Sequence, residues 1–156
     1  MMIKDMVMGP IIKLISDSYD LIKNRDRWTQ DFYQKDQNGK NCPWRIGYSF
    51  CSVGAVHFIY HSQEESKKSN NAEVITFHKN SDNDYHYAMC LIQRFSEKLF
   101  NGKPIEQVND DGNVTPDEAH RNILSVFEAI LNKFHDREPT EEDWLEGLDH
   151  WRMKTN

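Results

Sequence analysis

The chain has 156 residues, of which 38% are hydrophobic and 28% charged, with eight Phe, six Tyr and four Trp. That length and mix make one domain, 1–156, with a core built on aromatic anchors, and they exclude both disorder throughout and dependence on disulfide staples. Twenty-five acids against 19 bases give a net charge of -6, which argues against nucleic acid as a partner, because phosphate binding is carried by Lys and Arg.

Pro10 opens the first element. Ile11, Ile12, Ile15, Tyr19 and Ile22 recur at helical spacing after it, and Pro suits a first helical position because its missing N–H would be unpaired there anyway. From Trp28 to Trp44 the periodicity fails. Asn38-Gly39 is a turn pair, since both residues tolerate positive φ, so Phe32-Tyr33 and the stretch near Pro43 read as an ordered loop or a short hairpin. Ser49 can cap a second helix, apolar nearly all round from Phe50 to Ile59, and this is the candidate for the central helix. Residues 62–72, polar and low in complexity, read as a mobile surface loop, and Val74, Ile75 and Phe77 as one short strand.

Asp82 or Asp84 can start a third helix carrying Tyr85, Ala88, Met89, Ile92, Phe95, Leu99 and Phe100, which Gly102 and Pro104 stop. The next start is the clearest in the chain. Thr115-Pro116-Asp117-Glu118 is a capping box with Pro in the first turn, and Ala119, Ile123, Val126, Phe127, Ile130 and Phe134 then make one apolar face. Residues 136–156 form an acidic C-terminal helical extension capped by Thr140 and presenting Trp144, Leu145, Leu148 and Trp151. The fold expected is mainly α: a compact bundle of four to five helices with a small β-hairpin or short strands.

Cys42, Cys51 and Cys90 are odd in number, widely spaced and without a C-x-x-C pair, a usage that fits free thiols in a reducing compartment and makes cytoplasm the expectation. Met1 to Pro10 lacks a signal-sequence core, and no stretch approaches the roughly 18 apolar residues of a membrane span. No membrane attachment is expected.

Cys51 carries two readings. With Gly54, Ala55 and Phe58 it makes a stripe at i, i+3, i+4 and i+7 that lets another helix approach closely. Near a helix N-terminus it is also a nucleophile of a cysteine-dependent hydrolase or transferase, with His57, His86 or His120 as base and Asn109 or Asp110 orienting it. His57 and His61 share a helix face at a metal-compatible spacing, but no third ligand follows. Gln107 to Glu118 matches much of a calcium loop at Asn109, Asp111, Gly112 and Glu118, yet Gln107 replaces the first acid. The alternative there is an Asx-type turn feeding the Thr115 cap. No metal or cofactor is therefore expected. Trp28, Phe32, Tyr33 and Trp44 form an aromatic group able to stack on a flat ligand or to pin the loop to the core.

Trp28-Thr29-Gln30, Gly39, Cys51-x-x-Gly54-Ala55, Asn109-Asp110 and Thr115, taken in order, resemble a family of short bacterial and phage proteins known as the domain of unknown function DUF6197. The match covers roughly Ile11 to Phe134. The resemblance implies a compact helical domain and supplies no activity; a site common to the family would fall on Trp28, Gln30, Cys51, Asn109 and Asp110. Departures are the longer polar stretch from Ser62 to Asn83, Phe50 where a Trp often precedes the Cys, and the acidic end after His135. The function expected is a non-catalytic binding module for a small molecule or a protein partner, using Trp28, Gln30, Tyr33, Asn109 and Asp110, with a host-interaction role permitted by the phage members. The alternative is the Cys51 enzyme, with His57 and Asn109.

Overall fold

A computed structural model describes residues 9–70, 74–140 and 142–143, with the side chains of 67–83 left aside. The chain is mainly helical: α1 (Pro10–Ile22), α2 (Ser52–Asn70), α3 (Val74–Leu99), α4 (Ile105–Asn109) and α5 (Pro116–Lys133) accompany a two-stranded antiparallel sheet of β1 (Gln34–Lys35) and β2 (Ser49–Phe50). No helix among the described residues is long and apolar enough to cross a membrane.

Helix α1 buries Ile11, Ile12, Leu14, Ile15, Ser18 and Ile22, the face its spacing predicts. Pro10 stands at its start. Because Gly9 at the N-cap has no side chain to offer, the cap arrives from the far end of the chain: Ile11 N–H donates to Glu138 Oε1 at 2.7 Å. Helix α5 follows its capping signal, with Thr115 Oγ1 accepting from Glu118 N–H at 3.2 Å and the predicted apolar face buried from Ala119 to Phe134.

Helix α3 ends at Leu99, where Asn101 and Gly102 take positive φ and Gly102 N–H donates back to Glu97 carbonyl. That is the closure expected of a glycine past a helix end. Six consecutive residues of α3, Ala88 to Gln93, are buried. Over this stretch α3 is enclosed on all sides. In α2, Val53, His57, Phe58 and Ile59 remain partly exposed.

Three local expectations change. Ser49 does not cap α2: it lies in β2, and α2 begins three residues later. The polar stretch expected as a loop over 62–72 is helical through Asn70, because Gln, Glu, Lys and Ser propagate a helix once a buried first turn has nucleated it, and neither Gly nor Pro interrupts the run. Val74 to Phe77 belongs to α3 and not to a strand, a short run of three apolar residues and a threonine being compatible with either state. The hairpin pairs Gln34 with Phe50 and Lys35 with Ser49. The Asn38-Gly39 turn, with Gly39 at φ 80°, closes a smaller loop inside it by bridging Lys35 to Asn41. Thr140 N–H and Oγ1 both donate to the Asp143 carboxylate, and the extension beyond Asp143, including Trp144 and Trp151, lies outside the described residues.

Candidate functional site

Asn109 closes α4 and is 1% exposed. A buried amide has to satisfy both its oxygen and its nitrogen, and here each makes two bonds. The Oδ1 oxygen accepts from Trp28 Nε1 at 2.9 Å and from Ser52 N–H at 3.0 Å, while Nδ2 donates to Thr29 carbonyl at 3.1 Å and to Asp110 Oδ1 at 2.8 Å. Gln30 Nε2 adds a bond to the Asn109 carbonyl, and Asp31 N–H donates to Asp110 Oδ1. One side chain thus ties the loop after α1, the first residue of α2 and the end of α4 together. Asp31 sits at φ 72° within this network, a left-handed position that an Asp tolerates when its backbone is held by specific bonds.

The Trp28 ring packs on His120 of α5 with centroids 5.0 Å apart, and His120 Nε2 donates to the Ile22 carbonyl at 2.7 Å. Trp44 lies elsewhere, among His57, Phe58 and His61. The aromatic group expected around Trp28 and Trp44 is consequently two groups, one anchoring the loop and one covering the side of α2.

Beside Asn109 lies a cavity of about 390 Å³, lined by the 31–33 turn, Asn41, Cys51, Ser52, Val53, Glu106, Asn109 and Asp110. Of the expected ligand residues, Tyr33, Asn109 and Asp110 line it. Trp28 and Gln30 do not, their side-chain N–H groups being directed at Asn109. Ser52, Glu106 and Asp31 went unnoticed in the sequence. Ser52 is the most telling of them, for it is 1% exposed and its hydroxyl oxygen has no partner, whereas a buried hydroxyl is ordinarily bonded.

Cys51 precedes α2 and caps it through sulfur: Gly54 N–H donates to Sγ at 3.2 Å. Burial pushes the thiol up to about 11, outweighing the stabilising backbone bonds from Gly54 and Val53. His57 pairs with His61, ring centroids 4.1 Å apart, and burial followed by the charge of His61 lowers its basicity. Among the described residues no histidine lines the cavity, and the Asn109 amide is committed to the four groups above. Cys51, His57 and Asn109 therefore do not assemble into a triad with the linked bonds that nucleophile activation needs. On native protein we expect iodoacetamide to alkylate Cys51 at pH 7.5 roughly a hundredfold more slowly than after denaturation, because the reactive thiolate is scarce far below its pKa. Rapid native labelling with a midpoint at or below about 8.5, the value for a free thiol, would restore the nucleophile.

Gly54 has a different task from the one its stripe suggests. A Cβ there would lie 1.9 Å from the Tyr33 carbonyl oxygen, so it is the 31–33 backbone, not another helix, that approaches this glycine. Cys51 N–H donates to the same carbonyl at 3.1 Å. The segment after Asn109 forms the expected Asx turn: Asp111 accepts from Asn113 N–H at 2.9 Å and pairs with Lys103 at 3.4 Å. The Asn113 backbone bond, with help from Lys103, holds its carboxyl below the usual range despite an opposing desolvation effect. The Asn109 side chain, one of the calcium-loop positions, is turned inward to Trp28, Ser52, Thr29 and Asp110.

Comparisons with protein-family models, with curated proteins and with solved structures find no match to this chain.

Proposed function

We propose that this chain is a non-catalytic binding protein that holds a small molecule in the cavity at the start of α2. The observation that carries the reading is the Ser52 hydroxyl, buried and unpartnered at the wall of a cavity of about 390 Å³. A bound polar group would satisfy it, and the volume falls within the range of small-molecule sites. The walls are held by the Asn109 network, a rigidity that lowers the ordering cost of binding.

The resemblance to the family of short bacterial and phage proteins belongs to the same proposal. It is supported by the way Trp28-Thr29-Gln30, Cys51, Gly54 and Asn109-Asp110 meet in one place, since residues that build one wall have reason to occur together. Three free thiols, Cys42, Cys51 and Cys90, support a cytoplasmic setting. A protein partner is the second reading, favoured by Phe32 and Tyr33 at the rim, which are 45% and 64% exposed.

Gentle purification followed by native mass spectrometry is expected to show a mass excess of a few hundred daltons or less, released on denaturation. It should be absent from Val53→Trp, which fills the cavity from a half-buried lining position. Protein that runs at its bare mass under all native conditions would count against the small-molecule reading, and a stoichiometric polypeptide lost on Tyr33→Ala would favour the second.

A further inference from the structure

We infer that the ligand of this cavity is an organic cation, a primary ammonium group carried on a small apolar or aromatic body. The inference rests on the binding reading above and narrows it. Three carboxylates, Asp31, Glu106 and Asp110, line the cavity together with Phe32 and Tyr33, and among the described residues no Lys, Arg or His does.

The helix terminus is the one feature that points the other way. An N-terminus ordinarily attracts anions through its unpaired N–H groups. At α2 those groups are already taken: Ser52 N–H by Asn109 Oδ1, Val53 and Gly54 N–H by the Cys51 sulfur and Ala55 N–H by the Cys51 carbonyl. With its backbone donors engaged, the terminus no longer favours an anion, and the carboxylates set the sign of the site.

The remaining acceptors suit an ammonium ion. Asp110 uses Oδ1 for Asp31 N–H and Asn109 Nδ2, and Glu106 uses Oε1 for Gln93 Nε2 at 2.7 Å, so the bonds of the fold engage one oxygen of each. The unpartnered Ser52 hydroxyl can accept as well as donate, and beside three carboxylates it joins them as an acceptor for a –NH₃⁺ group, which carries three donors and no acceptor. Ring faces at the rim add a second attraction. Lys35 Nζ already lies 5.6 Å from the Phe32 ring centre, so one of these rings takes up a cation within the chain itself.

The test is a titration of ¹⁵N-labelled full-length protein with three probes of one shape and different charge: phenethylamine, 2-phenylethanol and phenylacetate. The amide signals of Asp31, Ser52 and Asp110 are followed at neutral pH and low salt. Phenethylamine should saturate these shifts with an affinity at least tenfold above that of the alcohol, and added salt should weaken it. Ser52→Ala removes an oxygen on which no bond of the fold depends and should cost the amine about fivefold. Glu106→Gln keeps the acceptor for Gln93 and should cost two- to fivefold, the modest figure reflecting an exposed carboxylate. Thermal unfolding of each variant shows that the fold is retained. Equal binding of the alcohol at these amides overturns the cation and leaves the cavity reading standing; tightest binding of phenylacetate overturns it with the opposite sign. If no probe moves the cavity amides, the cation assignment falls and the cavity reading falls with it.

Discussion

Gly54→Ala is expected to destabilise the protein by about 2 kcal/mol, lowering the melting temperature by roughly 4–8 °C for a chain of this size. Two effects oppose each other at this position. Alanine is the better helix residue by about 0.5–1 kcal/mol, and on an exposed helix face the change would stabilise. Here the new methyl group would stand 1.9 Å from the Tyr33 carbonyl oxygen. That obstacle is backbone, tied to Cys51 N–H at 3.1 Å and to the strand pairing that begins at the next residue. Relief requires the 31–33 segment to move off α2 by more than an ångström, breaking the bond and opening the cavity wall. Overpacking of this kind outweighs the helix preference. Denaturant unfolding with the m-value held constant measures it, and a stabilisation of half a kcal/mol would show that the 31–33 segment yields freely and does not brace the site.

The contrast between α5 and the junction of α2 with α3 shows what can be read without coordinates. At Thr115 every local preference agrees: an oxygen to cap, Pro116 in the first turn, acids beside the dipole and a 3.6-residue apolar period. The helix therefore runs where its residues place it. Residues 62–72 give no such agreement, because a polar run is compatible with both a loop and an exposed helix, and the choice is made by the buried turns that precede it. The site divides along the same line. Trp28, Cys51, Gly54, Asn109 and Asp110 stand out as residue types, and they do meet. Their partners are invisible in a linear reading, because the bonds from Trp28 and Ser52 to Asn109 span 81 and 57 residues. Local chemistry cannot tell an amide that faces a ligand from one that faces an indole. For the same reason Ser52, one serine among many in the chain, stands out only when its oxygen is seen to lack a partner.

Asn109→Ala carries the largest expected loss, about 4 kcal/mol, equivalent to some 8–16 °C in melting temperature. Truncation strands the Trp28 indole N–H and the Ser52 N–H, both of buried residues, and removes the donor that faces the Thr29 carbonyl. An unsatisfied buried group costs about 1–3 kcal/mol. Water entering from the neighbouring cavity can satisfy part of the set, which holds the total below the simple sum of three such penalties. The isosteric Asn109→Asp separates hydrogen bonding from packing, for it fills the same volume and still accepts from Trp28 and Ser52. It replaces the Nδ2 donor, however, by an oxygen facing the Thr29 carbonyl and the Asp110 carboxylate. Burial and that neighbouring charge disfavour its ionised form, so its folded pKa is raised above the unfolded value. The penalty is then absent at pH values below the unfolded pKa of about 4, and it grows as the pH rises until the folded pKa is reached. Asn109→Asp should accordingly approach the wild-type protein at acid pH, where the protonated carboxyl can donate one of the lost bonds, and Asn109→Ala should remain destabilised relative to wild type throughout. Urea unfolding of the three proteins between pH 4 and pH 7 measures both effects. A loss below 1 kcal/mol for alanine, or an Asp variant whose deficit does not change with pH, would mean that the loop, α2 and α4 are held in register by packing alone and that Asn109 does not join them.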